Sequence, residues 1–267
     1  MTQTTIKVLD HGFVTLRNLA GPTRRHWGPA AHDAEQTGVW DVVCGTPDRK
    51  EYKVLRQFDA DDTDVANAAR MSFDSMDMDR TYEIEMRLNH YLMRNRHMTP
   101  FEIIELWLEM KLPIFVARQL VRQRTQTINE VSGRYVTLPA EWYIPEMVGG
   151  KPVNKKQGQS DNLDLETQAW FKRVLNDACA RDYETYTNAI NCGVAPEHAR
   201  TLLHLNHYTH WMTKMNLRNL MVSFLSLRDH SHAQIESQQY ARATISLIEP
   251  HLPGLVKLYN ELIKVLE

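Results

Sequence analysis

The sequence predicts a helix-rich α/β (α+β) fold with a few strands confined to the region before residue 140. Two observations carry this. Period-two alternation of apolar and polar residues occurs only in that first half, as in Ile104, Leu106, Leu108 and Met110 against Glu105, Trp107, Glu109 and Lys111. Helical spacing dominates afterwards, most plainly in Leu165, Ala169, Trp170, Val174 and Ala178. At 267 residues, 43% hydrophobic and 24% charged, the chain has room for one large domain or two small ones with a sizeable core.

In chain order, residues 5–19 read as two short strands around the turn at Asp10-His11-Gly12. Gly21-Pro22 then opens an irregular stretch to about residue 62, a loop excursion whose sharper reading is a lid or an oligomer contact. Thr63 to Phe73 reads as a helix capped by Thr63 or Asp64, and Thr81 to Asn95 as a second, closing on the cations Arg94, Arg96 and His97. In HMTPFE, His97 to Glu102, Pro100 bars helix continuation and pushes Thr99 into an extended conformation. The half-buried strand at 104–111 follows. Pro113 then starts a helix at its favoured first position, with Arg118 and Arg122 four residues apart along it. Past Pro139, Pro145 and a polar loop, one long helix spans about Leu163 to Asn191 and ends at Gly193. Pro196 opens a short helix holding Glu197 and Arg200. His204 to Met215 fits either strand or helix, while Asn216–Arg228, Ala233–Ile248 and Leu252–Leu266 read as helices.

The chemistry concentrates in ARQLVRQRTQTINEVSGRY, Ala117 to Tyr135. Arg118, Arg122, Arg124 and Arg134 stand there without a lysine, and Glu130 is the single acid. Planar guanidinium forks suit bidentate contacts to phosphate or carboxylate, so the segment calls for an external anion. A formal net charge of -2 makes this a local patch on a near-neutral body, which fits a small phosphorylated ligand better than a nucleic acid. Three widely spaced cysteines, Cys44, Cys179 and Cys192, form no CxxC pair and no disulfide framework. No signal-peptide pattern and no membrane-length apolar run is present, so a reduced cytoplasmic location is expected.

No dinucleotide-binding GxGxxG, P-loop, GxSxG or HExxH occurs. His204, His207 and His210, spaced by three, would share a face on a helix but not on a strand; no cysteine or carboxylate completes a metal set, and none is assigned. The cysteines lack a base-and-orienter pattern, and Ser132 fits a hydrogen-bond donor beside Arg134 better than a nucleophile. Gly133 permits a tight turn, and Asn216 with Arg218 brackets a helix start, a natural anion site.

These residues bring in a resemblance. RQRTQTINEVSGRY resembles the signature of the flavin-dependent thymidylate synthases, usually written RHR, seven residues, then Ser. In the same order come VLDHGFV, AARMSF at 68–73, HMTPFE at 97–102, PIFVARQ at 113–119, NKKQGQS at 154–160, NLRNL at 216–220 and LRDHSHAQ at 227–234. The likeness covers most of the chain outside roughly 22–62 and is highly specific. It implies a single catalytic domain over 1–267, with a small sheet flanked by long helices, and a homotetramer whose active sites are shared between subunits. It implies conversion of dUMP to dTMP with 5,10-methylenetetrahydrofolate as carbon donor, NADPH as reductant and FAD carrying the hydride, without a cysteine nucleophile.

By the same resemblance, Gln119, Arg122, Glu130, Val131, Ser132, Gly133 and Arg134 would contact dUMP, with Arg200 and Arg228 completing that site from another subunit. Arg228 would favour ionisation of the uracil, and Ser132 joins it as the second residue expected at the chemistry. His97, Thr99, Glu102, Arg122, Gln123, Arg124, Glu130, Asn216 and Arg218 would hold FAD. The chain departs from the family pattern in three places. Gln123 replaces the central His of RHR, removing a group that titrates near neutral pH. One extra residue stands around Val222 and Ser223, enough to turn a helix by about 100°. The third is an insert at about 22–62. Two rivals follow from the residues: a dUMP hydroxymethylase, in which water captures the methylene intermediate, and a nucleotide-binding sensor without turnover.

Overall fold

The structure is a computed structural model that describes residues 4–21, 60–75, 80–123, 125–152 and 159–264. Most of the insert expected at 22–62, Arg124 and most of NKKQGQS lie outside the described residues.

Five antiparallel strands form one sheet in the order β1-β2-β3-β5-β4. They are β1 (Thr5–Val8), β2 (Gly12–Ala20), β3 (Glu105–Pro113), β4 (Thr127–Glu130) and β5 (Tyr208–Asn216). The first hairpin closes at Gly12, which cannot carry a side chain: a Cβ there would lie 2.6 Å from Val8 O and 2.7 Å from Lys111 O, and against the Tyr240 hydroxyl. The β2–β3 register slips between Leu16 and Asn18, a bulge that swings Arg17 onto Glu109.

The helices are α1 (Asp64–Arg70), α2 (Tyr82–Arg94), α3 (Ile114–Leu120), α4 (Leu165–Asn191), α5 (Pro196–Ala199), α6 (Leu217–Asn219), α7 (Ile235–Ile248) and α8 (Pro253–Leu262). Short 3-10 turns fill Met71–Phe73, Thr99–Ile103 and Arg200–Leu202, and a π-helical turn spans Leu220–Leu225. The alternation in β3 sorts its faces. Leu106, Leu108, Met110 and Leu112 are fully buried and share one core with Tyr240, Leu247, Leu255 and Tyr259 from α7 and α8. Tyr240 fixes that layer by donating its hydroxyl to Lys111 O at 2.7 Å. Buried Asp62 ties three elements together, accepting from Gly254 N (2.7 Å) and Leu255 N (2.8 Å) at the start of α8 and from the Tyr82 hydroxyl (2.7 Å). Burial and then this carboxylate push the Tyr82 phenol up to about 12.

Several sequence expectations change. The strands are not confined to the first half: β5, the segment that fits either strand or helix, lies between β3 and β4 and is a strand. Thr99 opens a 3-10 turn instead of an extended segment, because Pro100 sits at the start of that turn where no N–H is required. Pro113 is the last residue of β3 and the N-cap of α3, one position earlier than expected. α3 stops at Leu120, so Arg122 stands in the turn beyond it and not on the helix. The helix expected over 216–228 is three α residues and then a wider π-helical turn.

Candidate active site

The site residues fall into two groups within one chain. The first is built on the edge strand β4 and the loop after it. Glu130 accepts from the Thr209 hydroxyl at 2.5 Å, and Val131 N donates to His210 O at 2.8 Å, anchoring the loop to β5. Ser132 then turns the chain: its carbonyl accepts from Tyr135 N (3.0 Å) and Val136 N (3.2 Å), and its hydroxyl from Arg134 N (3.3 Å). Gly133 is buried, and a Cβ there would meet Leu138 at 3.2 Å and the Arg200 side chain at 3.4 Å. Its role is close approach, since it is not among the positive-φ residues. Arg134 is exposed, 3.4 Å from Glu197 and 5.6 Å over the Tyr135 ring. Beneath this loop, Tyr186 and Tyr183 of α4 clamp Leu138, one hydroxyl accepting from its N–H and the other donating to its carbonyl, each at 3.0 Å.

The second group gathers at the end of α3. A helix end leaves carbonyls without partners, and here one nearby and one distant side chain supply them. Arg228 donates to Gln119 O at 2.6 Å and Gln126 Nε2 donates to Leu120 O at 2.9 Å. The Arg228 guanidinium also reaches Leu227 O at 3.0 Å, and partial burial lowers its pKa. The Gln119 carboxamide donates to that of Gln234. Gln123 Nε2 donates to Asn219 O at 3.3 Å. Asn216 ends β5 and caps α6, its side chain accepting from Asn219 N at 2.9 Å. Arg218 pairs with Glu102 at 2.5 Å, joining α6 to the 3-10 turn that begins at Thr99. His97 lies just before that turn, edge-on to Tyr91 at 6.1 Å. Arg122 is exposed beside this group.

His97, Thr99, Gln123, Asn216 and Arg218 bring polar side chains to this group, and Glu102 pairs with Arg218. Along β5 the loop is anchored at His210, and the helix start at Asn216 lies about 20 Å further on. Within one chain Arg200 lies beside Gly133, and Arg228 lies on the Gln119 carbonyl.

The three histidines go separate ways. His204 pairs with Asp182 at 2.6 Å, His210 with Glu109 at 2.7 Å, and His207 is buried and stacked on Tyr183. Thr209, Gln126 and Gln234 were not singled out by the sequence, although Gln234 closes the LRDHSHAQ match. Thr125 was also missed. It is a β-branched residue at φ 61, a strained position between α3 and β4 that no local motif announces.

The family described as thymidylate synthase complementing protein matches residues 53–254. A flavin-dependent thymidylate synthase from Gluconobacter oxydans is 41% identical over 218 residues, covering 79% of this chain and 71% of that protein. One from Ehrlichia ruminantium is 38% identical over 213 residues, 76% of this chain and 71% of its own length. Among solved structures, the UMP/dUMP methylase PolB from Streptomyces cacaoi, bound with 5-Br dUMP, matches with a TM-score of 0.73 at 25% identity, covering 97% of this chain and 99% of that one.

Proposed function

The chain belongs to the flavin-dependent thymidylate synthases, and from that premise we propose that it methylates dUMP to dTMP. In this reading 5,10-methylenetetrahydrofolate gives the carbon, NADPH the reducing equivalents, and FAD carries the hydride. The observation that carries the reading is Arg228, a half-buried guanidinium fixed on the Gln119 carbonyl before any substrate arrives. A cation so preorganised stabilises the negative charge that develops as uracil becomes nucleophilic at C5. Ser132, Arg134 and Arg200, with the backbone at Gly133, supply hydroxyl, amide and guanidinium donors for the nucleotide. His97, Thr99, Glu102, Gln123, Asn216 and Arg218 would hold the flavin, which when bound supplies the hydride that completes the methyl group.

A cysteine nucleophile has no support among the described residues. Cys179 is buried, its thiol pushed up by burial, and its partner is Asn206 at 3.4 Å. Cys192 sits exposed at the end of α4. Both are free thiols, which supports a cytoplasmic site of action. No helix among the described residues is long and apolar enough to cross a membrane.

The same reading makes the protein a homotetramer with shared sites, in which the Ser132 loop of one subunit faces the Arg228 group of another. The hydroxymethylase and sensor rivals are not favoured by relatives named thymidylate synthases and a neighbour named a UMP/dUMP methylase. The function is tested by tritium release from dUMP labelled at C5, with FAD, methylenetetrahydrofolate and NADPH present. Release that depends on all three is expected; none, from protein holding flavin and dUMP, would overturn it.

A further inference from the structure

The π-helical turn Leu220–Leu225 lies against Gln123, which contacts it through Asn219 O besides its reading as a flavin contact. A π-helical turn closes its hydrogen bonds one residue further along than an α-helix. It therefore absorbs the extra residue noted around Val222, and the elements on either side keep the phase they would have without it. The turn is tied to the end of α3 at both its ends. At its start, Gln123 donates to Asn219 O at 3.3 Å. Beyond its end, Arg228 donates to Gln119 O at 2.6 Å. Gln119 and Gln123 are four residues apart, so one short stretch of chain clamps both.

The reason for a glutamine follows from the ladder. In an uninterrupted α-helix the Asn219 carbonyl would face the amide of Ser223. The wider turn moves that donor along by one residue, and the Gln123 carboxamide donates to the same carbonyl. A carboxamide keeps its donor at every pH, and its length spans the gap.

We propose that Gln123 and the extra residue of the π-helical turn form one positioning unit, which aims Arg228 at the uracil and Asn216 with Arg218 at the flavin. Gln123 is thus a positioning residue acting through Asn219. This rests on the dUMP and flavin reading of those three residues.

A double-mutant cycle tests it, using Gln123→Leu, deletion of Val222 and the combination. Val222 is exposed, so its removal takes nothing from the core. Dissociation constants for dUMP and FAD are measured by titration of the full-length protein. Amide hydrogen exchange across 219–228 is followed without ligand. Gln123→Leu should weaken dUMP binding about fivefold, the loss of one hydrogen bond, and speed exchange in the turn. In the deletion background the same substitution should cost less than about twofold, because the carbonyl is back in an α-helical ladder. Gln123→His, whose ring N–H can donate, should recover most of the loss, and the isosteric Gln123→Glu should not. Equal losses in both backgrounds would overturn the coupling and make Gln123 a direct ligand contact. Should the deletion not fold, unchanged exchange in Gln123→Leu alone overturns the proposal. Exchange is read without ligand, so a parent protein that binds no dUMP sinks the functional reading instead, and the two failures are distinct.

Discussion

Replacing Arg228 by Met removes the guanidinium and keeps most of its aliphatic length, which separates two consequences. The first is structural. Arg228 donates to Gln119 O at 2.6 Å and to Leu227 O at 3.0 Å, and the Gln119 carbonyl belongs to a helix end that needs a partner. Loss of a charged donor to such a group costs about 1.5–3 kcal/mol, read as a lower urea midpoint with an unchanged slope. The second is chemical. Removing one preorganised donor from a developing anion lowers kcat by about 10²–10³-fold, or roughly 3–4 kcal/mol of transition-state stabilisation. Turnover is measured at saturating dUMP and low urea, where the variant is folded. A kcat within about tenfold of the parent, alongside the stability loss, would reduce Arg228 to a cap on α3 and refute the electrostatic argument.

Other consequences follow from the same geometry. Chains with Arg200→Ala and chains with Arg228→Ala should each be inactive, yet mixed and reassembled they should recover activity in about a quarter of the sites, by random assortment in a symmetric oligomer; no recovery would show that one subunit supplies both arginines of a site. His207 is buried and neutral, with burial holding its pKa at about 4 against the usual 6.5. Its folded pKa is depressed, so stability is complete above 6.5 and falls as pH drops from 6.5 toward 4, by on the order of 3 kcal/mol; thermal melts of His207→Gln should lose that slope. Gly12→Ala should destabilise by about 1–3 kcal/mol through the clash with Val8 O, Lys111 O and Tyr240, and Leu108→Ala by about 2–5 kcal/mol through the cavity it leaves, both read from urea midpoints.

How much of this could be read in the sequence depends on how local each cause is. β1, β2 and β3 were legible because each buries one face and their alternation says so. β5 was not: Tyr208 and Thr209 are both buried, and Trp211 and Met212 are both apolar, which blurs the period. The arginines, Ser132 and Gly133 could be singled out by residue type, since forks and a tight turn mean an anion. Their division into two groups could not, because it is set by contacts such as Arg228 to Gln119, 109 residues apart. The early end of α3 has the same origin, its carbonyls being met by Gln126 and Arg228. The π-helical turn shows in the sequence only as a count one residue too long.

The central claim is the conversion of dUMP to dTMP, and the mass of the nucleotide product tests it most directly. Purified protein with FAD, dUMP, methylenetetrahydrofolate and NADPH should yield a nucleotide heavier by one methyl increment. A hydroxymethyl increment, or dUMP returned unchanged by protein that binds it, would contradict the account.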